Sequence, residues 1–344
     1  MQRLPRYRTG DPAIDERVAE IVDLTGTAAN QDLIFEMIAS AVRMARANTN
    51  RGDLKIANAS LKEMRNAFGV FAPYRSARKV AIFGSARTEP HDPLYNQTVR
   101  LASAMAARDW MVITGAGPGI MAAGIEGAGA ENSFGVGIRL PFEGGANQFI
   151  ADDPKLVNFR YFFTRKLTFM KESSGFVLLP GGYGTMDEAF ELLTLVQTGK
   201  SHPAPIVLLD IPGQNYWERY VRFLREELLA DGYINATDLD LFLVTDNIDD
   251  AVDEITGFYA NYHSQRFVDG CLVIRTRAPL SDEFLAQLTE DFQDILVSGA
   301  IERIETTPAE VADNDFVDLP RIMLRFNRHG WARLRQLINQ LNAR

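Results

Sequence analysis

The chain has 344 residues, 46% of them hydrophobic, and a formal net charge of −9 at neutral pH. That is enough apolar material for two or three packed domains, and the acidic balance excludes a general nucleic-acid or membrane-surface binder, which needs a basic face. Cys271 is the single cysteine, so an intrachain disulfide is excluded and a reducing compartment is expected.

The opening Met1-Gln2-Arg3-Leu4-Pro5-Arg6 lacks the apolar centre of a secretory signal, and no stretch is long enough to span a bilayer; the cytoplasm is the expected location. Residues 1–74 read as a helical region. Ile34, Met37, Ile38, Ala41, Val42 and Ala45 form one stripe, with Asn30 as the expected cap. Leu54, Ala57, Leu61, Met64 and Phe68 form another behind Asp53, also an expected cap, and Pro73 closes the region. Such stripes are core or subunit-contact faces.

From residue 75 to 262 short β-rich runs alternate with helical stretches. Strands are expected at 79–83, 110–114, 134–140, 175–179, 205–210 and 241–245. Helices are expected near 93–108, 118–130, 158–173, 184–198, 215–229 and 248–262. Nearly continuous apolar strands separated by helices make a doubly wound, Rossmann-like α/β domain, its parallel sheet covered on both faces. Ligands in such folds bind beyond the carboxyl ends of the strands, where the strand order reverses. Residues 263–344 read as a small C-terminal α+β module, with strands at 272–276, 300–306 and 321–326 and helices at 281–297 and 331–341. A ferredoxin-like arrangement with one strand unassigned is expected there, serving regulation or assembly.

Three glycine-bearing loops follow three of the strands: Gly84-Ser85-Ala86-Arg87, Gly115-Ala116-Gly117-Pro118-Gly119, and Pro180-Gly181-Gly182-Tyr183-Gly184-Thr185-Met186-Asp187-Glu188. Parallel strands put all three on one sheet edge, so they can converge on one ligand. In the third, Gly181, Gly182 and Gly184 let the backbone bend and approach a ligand. The helix is expected to open at about Thr185, and its unpaired amides make an anion seat. Glu188 then falls at the end of the first turn, and a phosphate seat beside a carboxylate suits chemistry on a sugar phosphate. Thr185 and Glu188 also fit a capping box, in which the glutamate only returns a hydrogen bond to the cap; on spacing alone the two readings are even. Asp187 reads as a favourable charge on the helix dipole.

A phosphorylated ligand needs local cations, for which Arg87, Arg139, Arg160, Arg165 and Lys166 are the candidates. Arg165 and Lys166 sit among Phe159, Tyr161, Phe162, Phe163, Leu167, Phe169 and Met170. A helix this apolar is expected to be largely buried, and buried charges need partners. Arg87 either caps the first strand's loop or contacts the nucleotide, the second being the preferred reading; Ser85 is expected to contact the ligand, and no histidine motif supports it as a nucleophile. Gly117-Pro118-Gly119-Ile120-Met121-Ala122 satisfies the dinucleotide pattern Gly-x-Gly-x-x-Ala, yet it follows the second strand. It is read as bringing Gly117 close to a mononucleotide, with Met121 lining the pocket or packing. Thr198-Gly199-Lys200-Ser201 imitates a P-loop end, but Thr194 replaces its first glycine and a helix ends there. The four histidines lack metal-ligand spacing, so neither a metal nor another cofactor is expected.

The nonapeptide 180–188 matches Pro-Gly-Gly-x-Gly-Thr-x-x-Glu, and through it the chain resembles the LOG ("lonely guy") family, formerly called lysine decarboxylase-like. The family's Arg-Lys pair and following methionine match Arg165, Lys166 and Met170, whereas Thr164 stands where the plant-type pattern has an acid. Leu193 to Lys200 reads Leu-Thr-x-x-Gln-Thr-Gly-Lys, as in the longer bacterial branch. The resemblance implies hydrolysis of the N-glycosidic bond of a nucleoside 5′-monophosphate, AMP-like or a cytokinin riboside monophosphate, to free base and ribose 5-phosphate. It implies catalytic roles for Arg165 and Glu188. Ser85, Arg87, Gly117, Met121, Lys166, Gly181, Gly182, Gly184 and Thr185 are the substrate-binding candidates. Homodimers or higher homo-oligomers, with the site near the interface, are also implied. The old decarboxylase label would need a pyridoxal-phosphate lysine in a Ser-x-His-Lys run, which is absent. A nucleotide sensor without turnover is the alternative. An NAD-linked oxidoreductase would need a glycine fingerprint after the first strand and an acid ending the second.

Overall fold

The computed structural model describes residues 5–27, 29–140 and 145–343. Met1 to Leu4, on which part of the signal-peptide reading rests, lie outside the described residues. The chain divides into two compact units, 1–65 and 66–344.

In the first unit, Asp11 caps α1 (Pro12–Leu24) by accepting from the amides of Ala13 and Ile14. Val18 and Val22 pack with Phe35 and Ala39 of α2 (Gln31–Arg46) in a small core. Asn30 precedes α2 in a left-handed conformation and makes no side-chain cap bond, contrary to expectation. The third helix, α3 (Arg51–Phe71), crosses into the second unit. Asn50 caps it, its Oδ1 accepting from Asp53 N at 3.0 Å, so Asp53 lies in the first turn and is not the cap.

The second unit follows with β1 (Lys79–Phe83), α4 (Pro93–Ala106), β2 (Met111–Thr114), α5 (Ile120–Ala128), β3 (Ser133–Ile138), β4 (Leu156–Phe159) and α6 (Phe162–Glu172). The chain then forms β5 (Gly175–Leu178), α7 (Tyr183–Gln197), β6 (Ile206–Leu209), α8 (Tyr216–Phe223), β7 (Leu243–Thr245) and α9 (Ile248–Gly257). The seven strands form one parallel sheet, β4-β3-β2-β1-β5-β6-β7. Successive side chains of a strand point to opposite faces. Ala81, Phe83, Phe176 and Leu178 therefore enter one core, and Val80, Ile82, Val177 and Leu179 enter the other. Each such burial of a larger side chain contributes about 1.5–3 kcal/mol. This two-sided burial explains why the strands read as unbroken apolar runs. The order reverses between β1 and β5, so the crevice at their carboxyl ends is the switch point.

Two expectations fail around α6. Residues 156–159 form an edge strand where a helix was expected from 158, because an edge strand needs only a brief alternation: Val157 and Phe159 are buried, Asn158 is exposed. The helix is also only half-buried. Thr164, Thr168 and Phe169 face inward, while Phe162, Phe163 and Leu167 are exposed.

The rest of the unit adds β8 (Tyr262–Val268), β9 (Cys271–Thr276), α10 (Asp282–Asp291), β10 (Glu302–Ile304), α11 (Pro308–Asp313), β11 (Arg321–Leu324) and α12 (Trp331–Asn342). Their antiparallel sheet has the order β10-β11-β9-β8. The succession ββαβαβα is not the βαββαβ of a ferredoxin-like fold, which corrects that expectation. The unassigned strand is β8, paired to β9 across Asp269-Gly270, both at positive φ as a tight hairpin turn requires. On β9 and β11, Arg275 and Arg321 stand directly opposite each other, fully buried, and both pair with Glu310 of α11. Among the described residues no helix is long and apolar enough to cross a membrane.

Candidate active site

The three glycine loops interlock at the switch point. Ser85, after β1, donates its amide to the Pro180 carbonyl after β5 at 3.2 Å, and its own carbonyl accepts from Ile120 N at 3.0 Å. Gly119, at φ +67°, lies so close that a Cβ there would be 2.3 Å from the Ser85 carbonyl oxygen. The middle loop is further tied by Asn147, whose Nδ2 donates to the Gly117 carbonyl at 2.9 Å and whose amide donates to the Ala116 carbonyl at 2.8 Å.

The signature helix opens earlier than the sequence suggests. Gly182 is the N-cap of α7 and Tyr183 its first residue. Thr185 is therefore the third helical residue and Glu188 lies in the second turn, so the capping-box alternative has no geometry to stand on. The helix presents its unpaired first amides at Tyr183, Gly184 and Thr185, with Gly182, Tyr183 and Gly184 exposed and Thr185 buried.

Glu188 is only 7% exposed, and its Oε2 is buried without a hydrogen-bond partner. Burial pushes its carboxyl up to about 7; Lys166 and Arg165 pull the other way, and Asp187 and Glu191 add to the rise. Arg165 is itself desolvated, which lowers its pKa, while the Glu188 charge supports its protonated form. Its Nε donates to the Val136 carbonyl at 2.9 Å, and its guanidinium lies 5.4 Å from the Phe169 ring centroid. The absence of a side chain at Gly115 makes room for it: a Cβ there would lie 2.4 Å from Arg165 Nη2 and 2.5 Å from Met121 Sδ. An underused carboxylate that titrates near neutrality, a half-buried guanidinium and open helix-end amides can together bind an anion and stabilise a nearby positive charge.

Residues 118–255 match the family model described as "Possible lysine decarboxylase". The cytokinin riboside 5′-monophosphate phosphoribohydrolase of Mycobacterium marinum is 30% identical over 176 residues, covering 50% of this chain and 90% of that protein. The enzyme of the same name from Mycobacterium tuberculosis is 30% identical over 179 residues, with the same coverage. The chain belongs to the LOG family. A solved structure of a molybdenum cofactor binding protein from Rippkaea orientalis is 14% identical, with a TM-score of 0.39, and covers 52% of this chain and 96% of its own.

In this LOG chain the residues expected from the sequence fall into three groups. Glu188, Arg165, Gly117, Met121, Ser85, Gly181, Gly182, Gly184 and Thr185 lie on or beside the interlocked loops, with Met121 packed over Gly115 and Gly117. Lys166 is engaged elsewhere: its Nζ pairs with Asp187 Oδ2 at 2.9 Å and lies 3.7 Å from Glu191 Oε2, which ties α6 to α7. Arg87 is exposed, its amide donating to Ser85 Oγ at 3.1 Å, and Arg139 and Arg160 are exposed where β3 and β4 end. Sequence reasoning passed over Asn147 and Tyr216, whose hydroxyl donates to the Gly181 carbonyl at 2.6 Å. Neither stands in a motif; each is a lone polar residue whose partner is distant in sequence.

Proposed function

We propose that this protein hydrolyses the N-glycosidic bond of nucleoside 5′-monophosphates, releasing free base and ribose 5-phosphate. The observation that carries the reading is the buried Glu188 carboxylate, its Oε2 without a hydrogen-bond partner, near the Arg165 charge and on the helix whose open end forms the glycine turn. Its relatives bear the name of phosphoribohydrolases, which fixes the reaction class to be tested. The amides from Gly182 to Thr185 hold the 5′-phosphate, and that binding energy positions the ribose. As the bond to the base breaks, its electron pair leaves with the base and C1′ gains oxocarbenium character. Ionised Glu188 stabilises that charge, hydrogen-bonds the ribose hydroxyls and orients the water that adds to C1′. The water keeps its oxygen and one hydrogen on C1′, and the proton it gives up is balanced by the one the departing base takes up. Arg165 anchors phosphate and holds Glu188 toward its ionised form. Ser85, Arg87, Gly117 and Met121 border the nucleoside, and Lys166 acts by holding the two helices together. A homo-oligomer would cover the exposed Phe162, Phe163 and Leu167 of α6.

The test is chromatography of base and ribose 5-phosphate after incubation with AMP, GMP, CMP, UMP, IMP and the matching nucleosides. Release from monophosphates alone supports the reading and ranks the bases. Binding without release from any of them would replace it with a nucleotide sensor.

A further inference from the structure

We infer that Tyr216 is a positioning residue that sets the phosphate affinity of the glycine turn by fixing the direction of one amide. The inference rests on the phosphoribohydrolase reading and goes beyond it. Tyr216 begins α8, the helix that follows β6, the strand next to β5, and its hydroxyl reaches back to the Gly181 carbonyl at 2.6 Å. Its base is firmly held. The amide of the next residue, Trp217, donates to the buried Asp210 Oδ2 at 3.1 Å, and the Trp217 indole donates to the Leu209 carbonyl at 3.3 Å. Trp217 is fully buried, and the Tyr216 ring packs edge-on against it with centroids 4.9 Å apart.

The physical link is the planar trans peptide between Gly181 and Gly182. Its C=O and N–H point in opposite directions, so a bond that holds the oxygen also aims the hydrogen. Both flanking residues are glycines, for which a flip of that peptide meets little steric resistance. Neighbouring turn carbonyls are held as well, Pro180 by the Ser85 amide and Gly182 by the Met186 amide. At the 181–182 peptide the Tyr216 hydroxyl is the restraint, and the Gly182 amide is one of the proposed phosphate donors.

The test is Tyr216→Phe, which removes the hydroxyl and keeps the ring against Trp217. One hydrogen bond's worth of ordering predicts a KM for the monophosphate raised about fivefold to tenfold, with kcat within about twofold. Calorimetric affinity for ribose 5-phosphate should weaken by the same factor, KM for the matching nucleoside should not move, and the unfolding midpoint should be nearly unchanged. If the wild type turns over and the variant matches it in KM and in ribose 5-phosphate affinity, Tyr216 does not position the seat. A fall in kcat together with a large loss of thermal stability also overturns the inference, by assigning the bond to folding. If the wild type releases no base, the hydrolase reading fails separately. The calorimetry then decides Tyr216 alone: weaker binding by the variant supports it, and equal or absent binding refutes it.

Discussion

Two glutamates in this chain are buried to nearly the same degree and are pushed in opposite directions. Glu310, fully buried, lies between Arg275 and Arg321. Burial would raise its pKa, but hydrogen bonds from Thr307 and Arg275 and the ion pair with Arg321 outweigh that and bring it to about 2. Glu188 also has two cations nearby, yet its Oε2 accepts no bond and its pKa stands at about 7. Burial is common to both, so what separates them is direct pairing. A carboxylate whose oxygens are all engaged holds a fold together, and one left short of donors is available to a ligand.

The largest expected effect tests the free carboxylate. Glu188→Gln should lower kcat by about a thousandfold or more, within the range for removing a positioned acid–base group, while the fold is retained by circular dichroism. Activity within tenfold of wild type would mean that the orphan oxygen is incidental. At the paired site, Glu310→Ala leaves two arginines facing each other without their shared anion. A loss of about 3–5 kcal/mol in denaturant unfolding is expected; a loss below 1 kcal/mol would show the cluster to be solvated in practice.

Arg165→Ala should raise KM for the monophosphate by about 10- to 100-fold, the weight of a charged hydrogen bond. It should also move the acid limb of the rate profile above pH 7, because Arg165 helps to ionise Glu188. Equal use of nucleoside and nucleotide by wild type and variant would remove Arg165 from phosphate recognition.

The smallest effect is in stability against pH, and its signs are opposite at the two sites. The native Glu188 keeps its proton from its ordinary value of 4.5 up to about 7, while the unfolded chain releases it. Stability from this group is therefore full below pH 4.5 and lost as pH rises to 7. Glu188→Gln should cancel that slope and gain on the order of 2 kcal/mol above pH 7. Glu310 stabilises above its ordinary 4.5, and that contribution is lost as pH falls toward 2. Identical unfolding curves for wild type and Glu188→Gln at pH 5 and pH 8 would contradict the first slope.

Much of the fold was legible because it is encoded in neighbours. Lys79–Phe83 and Ile206–Leu209 are buried on both faces and read as such without knowing their partners. The strands that escaped notice have weaker local signals: β4 is a short edge strand, and β8 buries Tyr262, Gln265 and Val268 at a spacing of three, which lacks the period of a strand. Asp269-Gly270 was a legible hairpin signal that could have placed β8.

At the candidate site the sequence alone determined the glycine turn, the acid behind it and the cation pair, because each is a short run whose chemistry needs adjacent residues. Tertiary structure decided the rest. It placed the cap at Gly182, which moved Glu188 to the second turn. It separated the two adjacent cations, Arg165 over Gly115 and Lys166 onto Asp187. It also brought Tyr216 to Gly181 across 35 residues. Those outcomes depend on which strands lie side by side, and a hydrogen bond's partner is selected by distance in space, which spacing along the chain does not encode.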